Sequence, residues 1–289
     1  MSLRFFLLSF FYAAFLSGMF SSCEIINPKE AIPSYIHIDK IDLATTTEQG
    51  SNSHKITDAW VYVEDQLIGA FELPATIPLL WGGTHTVTIK PGIKVNGIAA
   101  LRSIYPFYEP YVAKINLIPD SVITINPTIT YNSYTVFEWK EAFEDGGISL
   151  EKTATSDTTI DKTSNPAEVF EGSYSGIVNM DANHDFFQCN TVSPFVLPIG
   201  DHPVFLEMDY KTNEEIKVGL YAYSGTQIQI LDVMYINKSD IWKKIYINLN
   251  STINSADSPD NFKVFFEVSK SSDVATPLIL FDNIKLVHN

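Results

Sequence analysis

The chain has 289 residues and a formal net charge of −15 at pH 7, from 34 acidic and 19 basic residues. Such a surface repels phosphate backbones and anionic lipid headgroups, so we do not expect the protein to bind nucleic acid. The length fits two domains better than one, and a content of 45% hydrophobic and 13% aromatic residues is that of a globular protein. The many Thr, Ile, Val and Tyr residues favour strands.

The first predicted element is a targeting segment. Arg4 precedes an apolar run from Phe5 to Leu16, and small residues then lead to Cys23. These features are typical of a cleaved secretory signal, predicted at residues 1–22, and not of a membrane-spanning helix. Its removal takes away Arg4 and no acidic residue, so the 19 basic residues become 18 against 34 acidic ones, a charge near −16.

The segment Phe20-Ser21-Ser22-Cys23 resembles the lipobox of bacterial lipoproteins, although Phe20 stands where Leu is usual. The resemblance implies that Cys23 is acylated, so that covalent lipid such as palmitate would anchor an outer-membrane lipoprotein of the cell envelope. Whether the protein faces the periplasm or the cell surface stays open. The alternative is an ordinary cleaved signal with Cys23 as an incidental thiol. Residues 23–33 are predicted to be the lipidated cysteine and a tether.

The second cysteine, Cys189, has no partner for a disulfide if Cys23 carries lipid. It is predicted to be a buried, unreactive small hydrophobe.

Alternating patterns predict an all-β first domain at residues 34–130. The pattern predicts a strand at 35–42, a hairpin over 58–69, a strand at 84–90 that stops at Pro91-Gly92, and strands at 112–117 and 122–126. The hairpin, followed by Gly83-Thr84-His85-Thr86-Val87-Thr88-Ile89, resembles PEGA and related Ig-like modules, which implies a β-sandwich. The aromatic loop 105–111 is predicted either to plug one end of this sandwich or to bind a ligand.

A second all-β domain is predicted at residues 137–289, with strands near 204–210, 216–223, 227–235, 242–249 and 262–268. The segments Phe143-Glu144-Asp145-Gly146, Glu171-Gly172-Ser173-Tyr174-Ser175 and Asp282-Asn283-Ile284 resemble those of galactose-binding-like jelly rolls, the fold of many carbohydrate-binding modules. The predicted fold is therefore two β-sandwich domains in series. The resemblance also implies a structural Ca²⁺ held by Glu144, the Gly172 region and Asp282. The alternative is that Asp282 and Asn283 cap backbone groups.

Alternation within the predicted strands sends several rings and carboxylates outward. Sugars suit such a surface, because their C–H faces pack on rings and their hydroxyls need fixed polar partners. The predicted glycan platform consists of Tyr221, Tyr223, Trp242 and Tyr246, with Glu207 and Asp209 as hydroxyl acceptors. The alternative is that this face packs on the first domain or on the loop from Asn183 to Pro198.

The sequence predicts no enzyme. It contains no GxSxG, HExxH, Walker or zinc-spaced motif, and Glu207 and Asp209 on one strand are a weak basis for a glycosidase pair. The predicted function is non-catalytic recognition of a polysaccharide by a lipid-anchored envelope protein. The alternative is a structural or assembly role, in which the aromatic face docks another envelope protein.

Overall fold

The computed structural model describes residues 30–289, so the predicted signal sequence, Cys23 and the tether up to residue 29 lie outside the described residues. The described chain is all-β, which confirms the predicted fold class. Its helical content within residues 30–289 is a 3-10 turn at Thr47–Gln49 and one short helix, α1, at Asn250–Asn254. Neither has the length and hydropathy that crossing a membrane would require.

An N-terminal unit contains the strands β1 to β10. They form a three-stranded sheet in the order β5-β1-β9, a larger sheet β4-β3-β6-β7 in which β8 also pairs with β6, and a short pair β10-β2. Inward side chains such as Ile36, Val61 and Ile89 form its core. The strands are β1 Ser34–Ile38, β2 Asp42–Leu43, β3 Asp58–Val63, β4 Gln66–Glu72, β5 Ala75–Leu79, β6 Gly83–Lys94, β7 Arg102–Ile104, β8 Tyr111–Leu117, β9 Val122–Thr124 and β10 Thr128–Ile129.

Two details of this unit bear on the predicted strands. The hairpin is confirmed: β3 and β4 are antiparallel and joined by Glu64 and Asp65, both at positive φ, as a two-residue hairpin turn requires. The predicted stop at Pro91-Gly92 is wrong, because β6 continues to Lys94. Pro91 is tolerated there because the sheet uses its carbonyl, which accepts the N–H of Tyr105 at 3.0 Å.

A C-terminal unit contains the strands β11 to β21. One sheet has the order β13-β14-β21-β16-β19, with β11 also paired to β21, and a second has the order β12-β15-β20-β17-β18. A large apolar core fills the space between them and includes Cys189, which is buried as predicted. The strands are β11 Val136–Glu141, β12 Leu150–Lys152, β13 Ile160–Thr163, β14 Ser175–Val178, β15 Phe186–Thr191, β16 Val204–Thr212, β17 Ile216–Ser224, β18 Gln227–Ile236, β19 Ser239–Asn248, β20 Asn261–Ser269 and β21 Ile279–His288.

The two units are in direct contact. Phe205, Tyr246 and Val287 of the C-terminal unit pack into the core of the N-terminal unit. The rings of the aromatic loop 105–111 meet them there, with the Tyr105 and Phe205 centroids 5.3 Å apart, so this loop has a packing role. Residues 130–135 join β10 to β11, and the boundaries 34–130 and 137–289 stay a prediction of the sequence.

Candidate functional site

The six side chains predicted to form one glycan platform lie on two different sheets. Alternation along a strand fixes which side chains share a face of that strand, but it does not say which sheet the strand joins. The single platform predicted from the sequence is therefore wrong. Tyr221 and Tyr223 lie on β17, in the sheet β12-β15-β20-β17-β18 of the C-terminal unit. The other four residues lie in the second sheet of that unit, Trp242 and Tyr246 on β19 and Glu207 and Asp209 on β16.

Three of these residues are covered by the N-terminal unit, as the alternative interpretation predicted. Glu207, Asp209 and Tyr246 are at most 1% exposed. Glu207 accepts hydrogen bonds from the hydroxyl of Tyr105 at 2.6 Å and from that of Tyr131 at 2.9 and 3.0 Å. These contacts argue against a glycan at Glu207, because phenols of the neighbouring unit occupy the carboxylate that a sugar hydroxyl would need. Glycan contact by Asp209 and Tyr246 stays a prediction.

Acidic and basic side chains of the C-terminal unit are buried together where the two units meet. The Nζ of Lys244 lies 3.7 Å from a carboxylate oxygen of Glu207 and 3.6 Å from one of Asp209. Lys285 donates to the backbone carbonyl of Ser51 at 2.6 Å, and burial lowers its pKa to about 8. Burial also raises the pKa of Asp209, against the attraction of Lys244. Buried charges must be paired or hydrogen-bonded, so this cluster fixes how the two units meet.

Partly exposed aromatic side chains lie on the outer face of the sheet β12-β15-β20-β17-β18. The ring of Tyr221 on β17 stacks on that of Phe265 on β20, with centroids 4.7 Å apart and planes 28° apart. Phe265 is fully buried, whereas Tyr221 and Tyr223 are partly exposed. A Cβ at Gly219 would collide with the Phe265 ring, so glycine lets that ring lie flat against the sheet. Tyr221 therefore rests on a fixed aromatic base.

Hydrogen-bonding side chains lie beside this stack, and they hold one another in place. Gln188 on β15 donates to Glu267 at 2.7 Å, and Lys217 on β17 lies 3.1 Å from the other oxygen of Glu267. Lys263 on β20 donates to Glu151 on β12 at 2.8 Å. Four strands therefore contribute polar groups to one face. We refer to Tyr221, Tyr223, Phe265 and these five polar residues as the tyrosine face.

The pairing on the tyrosine face favours the charged forms of Glu151 and Lys217. The hydrogen bond from Lys263 holds the pKa of Glu151 below its ordinary value. Burial alone would lower the pKa of Lys217, but its contacts with Glu267 and Asp232 raise it overall. Burial raises the pKa of Tyr221, which therefore stays a neutral phenol. The face can accept hydrogen bonds, donate them and stack on an apolar ring surface, all with side chains already in place.

The predicted calcium ligands are engaged in other contacts. One oxygen of Glu144 accepts the N–H groups of Ser173 and Tyr174 at 2.8 and 2.9 Å, beside Gly172, whose φ is +68°. Asp282 accepts the hydroxyl of Ser175 at 2.6 Å. These donors point at the oxygens that a cation would need. Within residues 30–289, no group of three or more His, Cys, Asp or Glu side chains converges as metal ligands would. The calcium site stays a prediction that these contacts do not favour.

Comparison with solved structures finds similarity in fold to β-sandwich carbohydrate-binding modules. The chain is similar to the CBM22-1 xylan-binding domain from Paenibacillus barcinonensis Xyn10C, with 14% identity, a TM-score of 0.40, and coverage of 53% of this chain and 94% of that one. It is also similar to a carbohydrate-binding module of the β-sandwich superfamily studied for promiscuous specificity, with 14% identity, a TM-score of 0.38, and coverage of 79% and 84%.

A third similar structure is the family 11 carbohydrate-binding module of the cellulase Lic26A-Cel5E of Clostridium thermocellum, with 16% identity, a TM-score of 0.35, and coverage of 50% and 91%. No family model and no curated protein matches the sequence. The similarity is one of fold alone. What the chain binds is therefore argued from its own side chains.

The sequence pattern predicted that Tyr221 and Tyr223 point outward but missed most of the tyrosine face. Lys263, Phe265 and Glu267 alternate on β20, and this pattern was the available signal. Their neighbours are Gln188 on β15 and Glu151 on β12, a strand only three residues long. Such distant partners are brought together only by strand order, which the pattern of a single strand does not contain.

Proposed function

We propose that this protein is a non-catalytic, lipid-anchored protein of the cell envelope that binds a glycan on its tyrosine face. The observation that carries the proposal is the ring of Tyr221, fixed on buried Phe265 with paired polar side chains beside it. A pyranose ring can pack its C–H face on Tyr221. Its hydroxyls can then bond to Gln188, Glu267 and Lys217 without first ordering them, which reduces the entropic cost of binding.

The charges of the face support binding rather than glycoside hydrolysis. A general acid must carry a proton when it meets the glycosidic oxygen. Glu267 lies 3.1 Å from the ammonium of Lys217, and Glu151 is held by Lys263, which lowers its pKa. The lowered pKa of Glu151 favours its carboxylate form, so Glu151 does not suit the role of the acid.

Lipid anchoring through Cys23 forms the second part of the proposal. It is supported by the charged start, the apolar run and the small residues before Cys23. Mass spectrometry of the protein purified from bacterial membranes is expected to find acyl chains on Cys23, and Cys23→Ser is expected to release the protein into the soluble fraction. An unmodified thiol at Cys23 in the membrane-derived protein would contradict this part without affecting the glycan site.

The glycan site is tested by a polysaccharide panel in affinity electrophoresis with the purified protein. At least one neutral polysaccharide is expected to retard the protein. Tyr221→Ala is expected to abolish the retardation and Tyr221→Phe to keep it, because stacking needs the ring and not the hydroxyl. Tyr134→Ala is the matched control, since Tyr134 is 60% exposed outside this face. Equal retardation of the protein and Tyr221→Ala would overturn the assignment.

A docking role for another envelope protein is the second candidate. The edge strand β18 presents Ile228 and Ile230, which are 57% and 65% exposed, with no further strand beside it within the described residues. Apolar side chains along an open edge are typical of protein contacts. Chemical cross-linking in intact cells distinguishes the candidates. A defined protein adduct lost in Ile230→Lys, together with an inactive polysaccharide panel, would favour docking.

A further inference from the structure

A groove of about 550 Å³ lies between the two units, separate from the tyrosine face. Its floor includes Lys244 and Tyr246 on β19, and Trp242 on the same strand lies toward its opening. The N-terminal unit contributes residues 53–57 and 94–97 to the opposite wall. Three residues of the predicted platform, Asp209, Trp242 and Tyr246, line this groove, but no residue of the tyrosine face does.

The charge of the groove is opposite to that of the protein. The whole chain has 34 acidic and 19 basic residues, but the residues that line the groove include four lysines and one acid, Asp209. Asp209 is already bound by Ser53 at 2.9 Å and lies 3.6 Å from Lys244. Lys55 and Lys243 form no ion pair with any other described residue. The groove is therefore a local positive site on an acidic protein.

Lys244 lacks a hydrogen-bond acceptor in the groove, and the ring of His54 is held by backbone contacts. The side chain of Lys244 is only 2% exposed, and its Nζ has no hydrogen-bond acceptor among the described residues. A buried ammonium without an acceptor is costly, and an incoming anion would supply one. Each ring nitrogen of His54 faces a backbone carbonyl, of Asn52 at 2.9 Å and of Ile41 at 3.0 Å. These two contacts fix the orientation of the His54 ring.

Aromatic and amide groups lie beside these cations. The rings of Trp242 and Phe170 have centroids 5.2 Å apart and are inclined at 49°, and both rings line the groove. Asn237 lines it as well and is exposed. An aromatic wall with an amide at its edge suits a sugar ring better than a bare inorganic anion.

The groove is built on fixed backbone. Asn96 donates its N–H to the carbonyl of Tyr246 at 2.8 Å, and its side-chain oxygen accepts the N–H of Asn248 at 2.8 Å. The next residue, Gly97, has a φ of +70°, and a Cβ there would lie 3.4 Å from Ile245. The wall from the N-terminal unit is thus bonded directly to β19, so the backbone on the two sides of the groove keeps its spacing.

We propose that the groove between the units binds a carboxylate-bearing sugar, a uronic acid residue of an acidic glycan. The carboxylate would lie among Lys243, Lys244 and Lys55, and the sugar ring would pack on Trp242. This site goes beyond the proposed function, because it uses different residues from the tyrosine face and either site can fail without the other.

The test is isothermal titration of the purified protein with two probes, oligogalacturonate and oligoglucuronate, each paired with its carboxyl-reduced counterpart. At least one acidic probe is expected to bind ten-fold or more tightly than its reduced form, and to weaken several-fold between 20 and 200 mM salt. Trp242→Ala and Lys243→Glu are each expected to weaken that binding at least five-fold. Lys243 is exposed, so its variant is expected to fold even if Trp242→Ala does not.

Two control variants distinguish the groove from the rest of the protein surface. Lys40→Ala removes another exposed lysine and is expected to leave the affinity unchanged. Tyr221→Ala is also expected to leave it unchanged, which separates this site from the tyrosine face. Failure of both acidic probes to bind, or equal affinity for acidic and reduced forms, would overturn the proposal. The proposal would also be overturned if inorganic phosphate competed with the acidic probe at equal concentration and Trp242→Ala had no effect on binding. The groove would then be a simple anion site.

Discussion

The hydroxyl of Tyr105 donates a 2.6 Å hydrogen bond to the carboxylate of Glu207, from one β-unit to the other. Both residues are fully buried. Burial and the nearby carboxylate raise the pKa of Tyr105, so the phenol stays protonated and keeps donating. A carboxylate removed from water needs such donors, and it obtains them only when the two units are in contact. The pair therefore ties the stability of one unit to the presence of the other.

Removal of that donor is expected to destabilise the whole protein. Tyr105→Phe should lower the free energy of unfolding by about 1.5–3 kcal/mol, because it takes away a hydrogen bond to a buried charged group. Urea denaturation followed by tryptophan fluorescence measures the loss. Tyr62→Phe is the control, since Tyr62 has no hydrogen bond from its hydroxyl to a described residue. Equal losses in both variants would show that Glu207 does not depend on Tyr105.

Gly219 is expected to matter for the tyrosine face although it has no side chain. A Cβ in Gly219→Ala would meet the Phe265 ring and the carbonyl of Leu231. The ring must shift, at a cost of about 1–3 kcal/mol in the free energy of unfolding. Because Tyr221 stacks on Phe265, the affinity for a neutral glycan should fall as well. Gly146→Ala is the control, since a Cβ there meets nothing within 4 Å. An unchanged affinity in Gly219→Ala would mean that the stack does not position Tyr221.

Asp282 is expected to make stability depend on pH. Burial raises its pKa to about 7, against hydrogen bonds from Ser175 and the backbone that lower it. The unfolded carboxyl has a pKa of about 3.9, so between these two values the folded protein binds a proton that the unfolded chain releases. The contribution of Asp282 is therefore fully present below about pH 4 and is lost as the pH rises through 7.

The substitution Asp282→Asn removes this titration. The free energy of unfolding of the variant relative to the wild type should rise by about 2–4 kcal/mol between pH 4 and pH 8. Urea denaturation at a series of pH values gives both curves. Asp240→Asn, at an exposed position, is expected to follow the wild type throughout. Parallel curves for Asp282→Asn and the wild type would show that Asp282 is ionised in the folded protein across this range.

Removal of divalent metal is expected to leave the fold intact. Glu144 and Asp282 accept hydrogen bonds from Ser173, Tyr174 and Ser175, and these donors compete with a calcium ion for the same oxygens. The melting temperature should therefore be the same in EDTA and in excess Ca²⁺. A lower melting temperature in EDTA, restored by Ca²⁺ and not by Mg²⁺, would establish the calcium site that the sequence resemblance implies.

Strand periodicity was enough to predict the all-β class and the positions of most strands. The pattern of β17 predicted both the inward Val218 and the outward Tyr221, because two-residue alternation is a local property. It also predicted the hairpin of β3 and β4, since the Glu64-Asp65 turn lies between two strands that pair directly.

The site was not predictable in the same way. Trp242 and Tyr221 both point outward from their strands, but one strand pairs with β16 and the other with β20. Which sheet a strand joins depends on contacts between residues far apart in the chain. Glu207 looked like a surface carboxylate because the phenol that covers it lies 102 positions earlier.

Glycan recognition by the tyrosine face is decided by one dissociation constant, that of the neutral glycan selected by the polysaccharide panel. It is measured by calorimetry for the wild type, Tyr221→Phe and Tyr221→Ala. We expect one site per chain, an affinity within a few-fold of the wild type for Tyr221→Phe, and a loss of at least ten-fold for Tyr221→Ala with an unchanged melting temperature. Wild-type affinity in Tyr221→Ala would contradict this assignment and locate recognition elsewhere on the molecule.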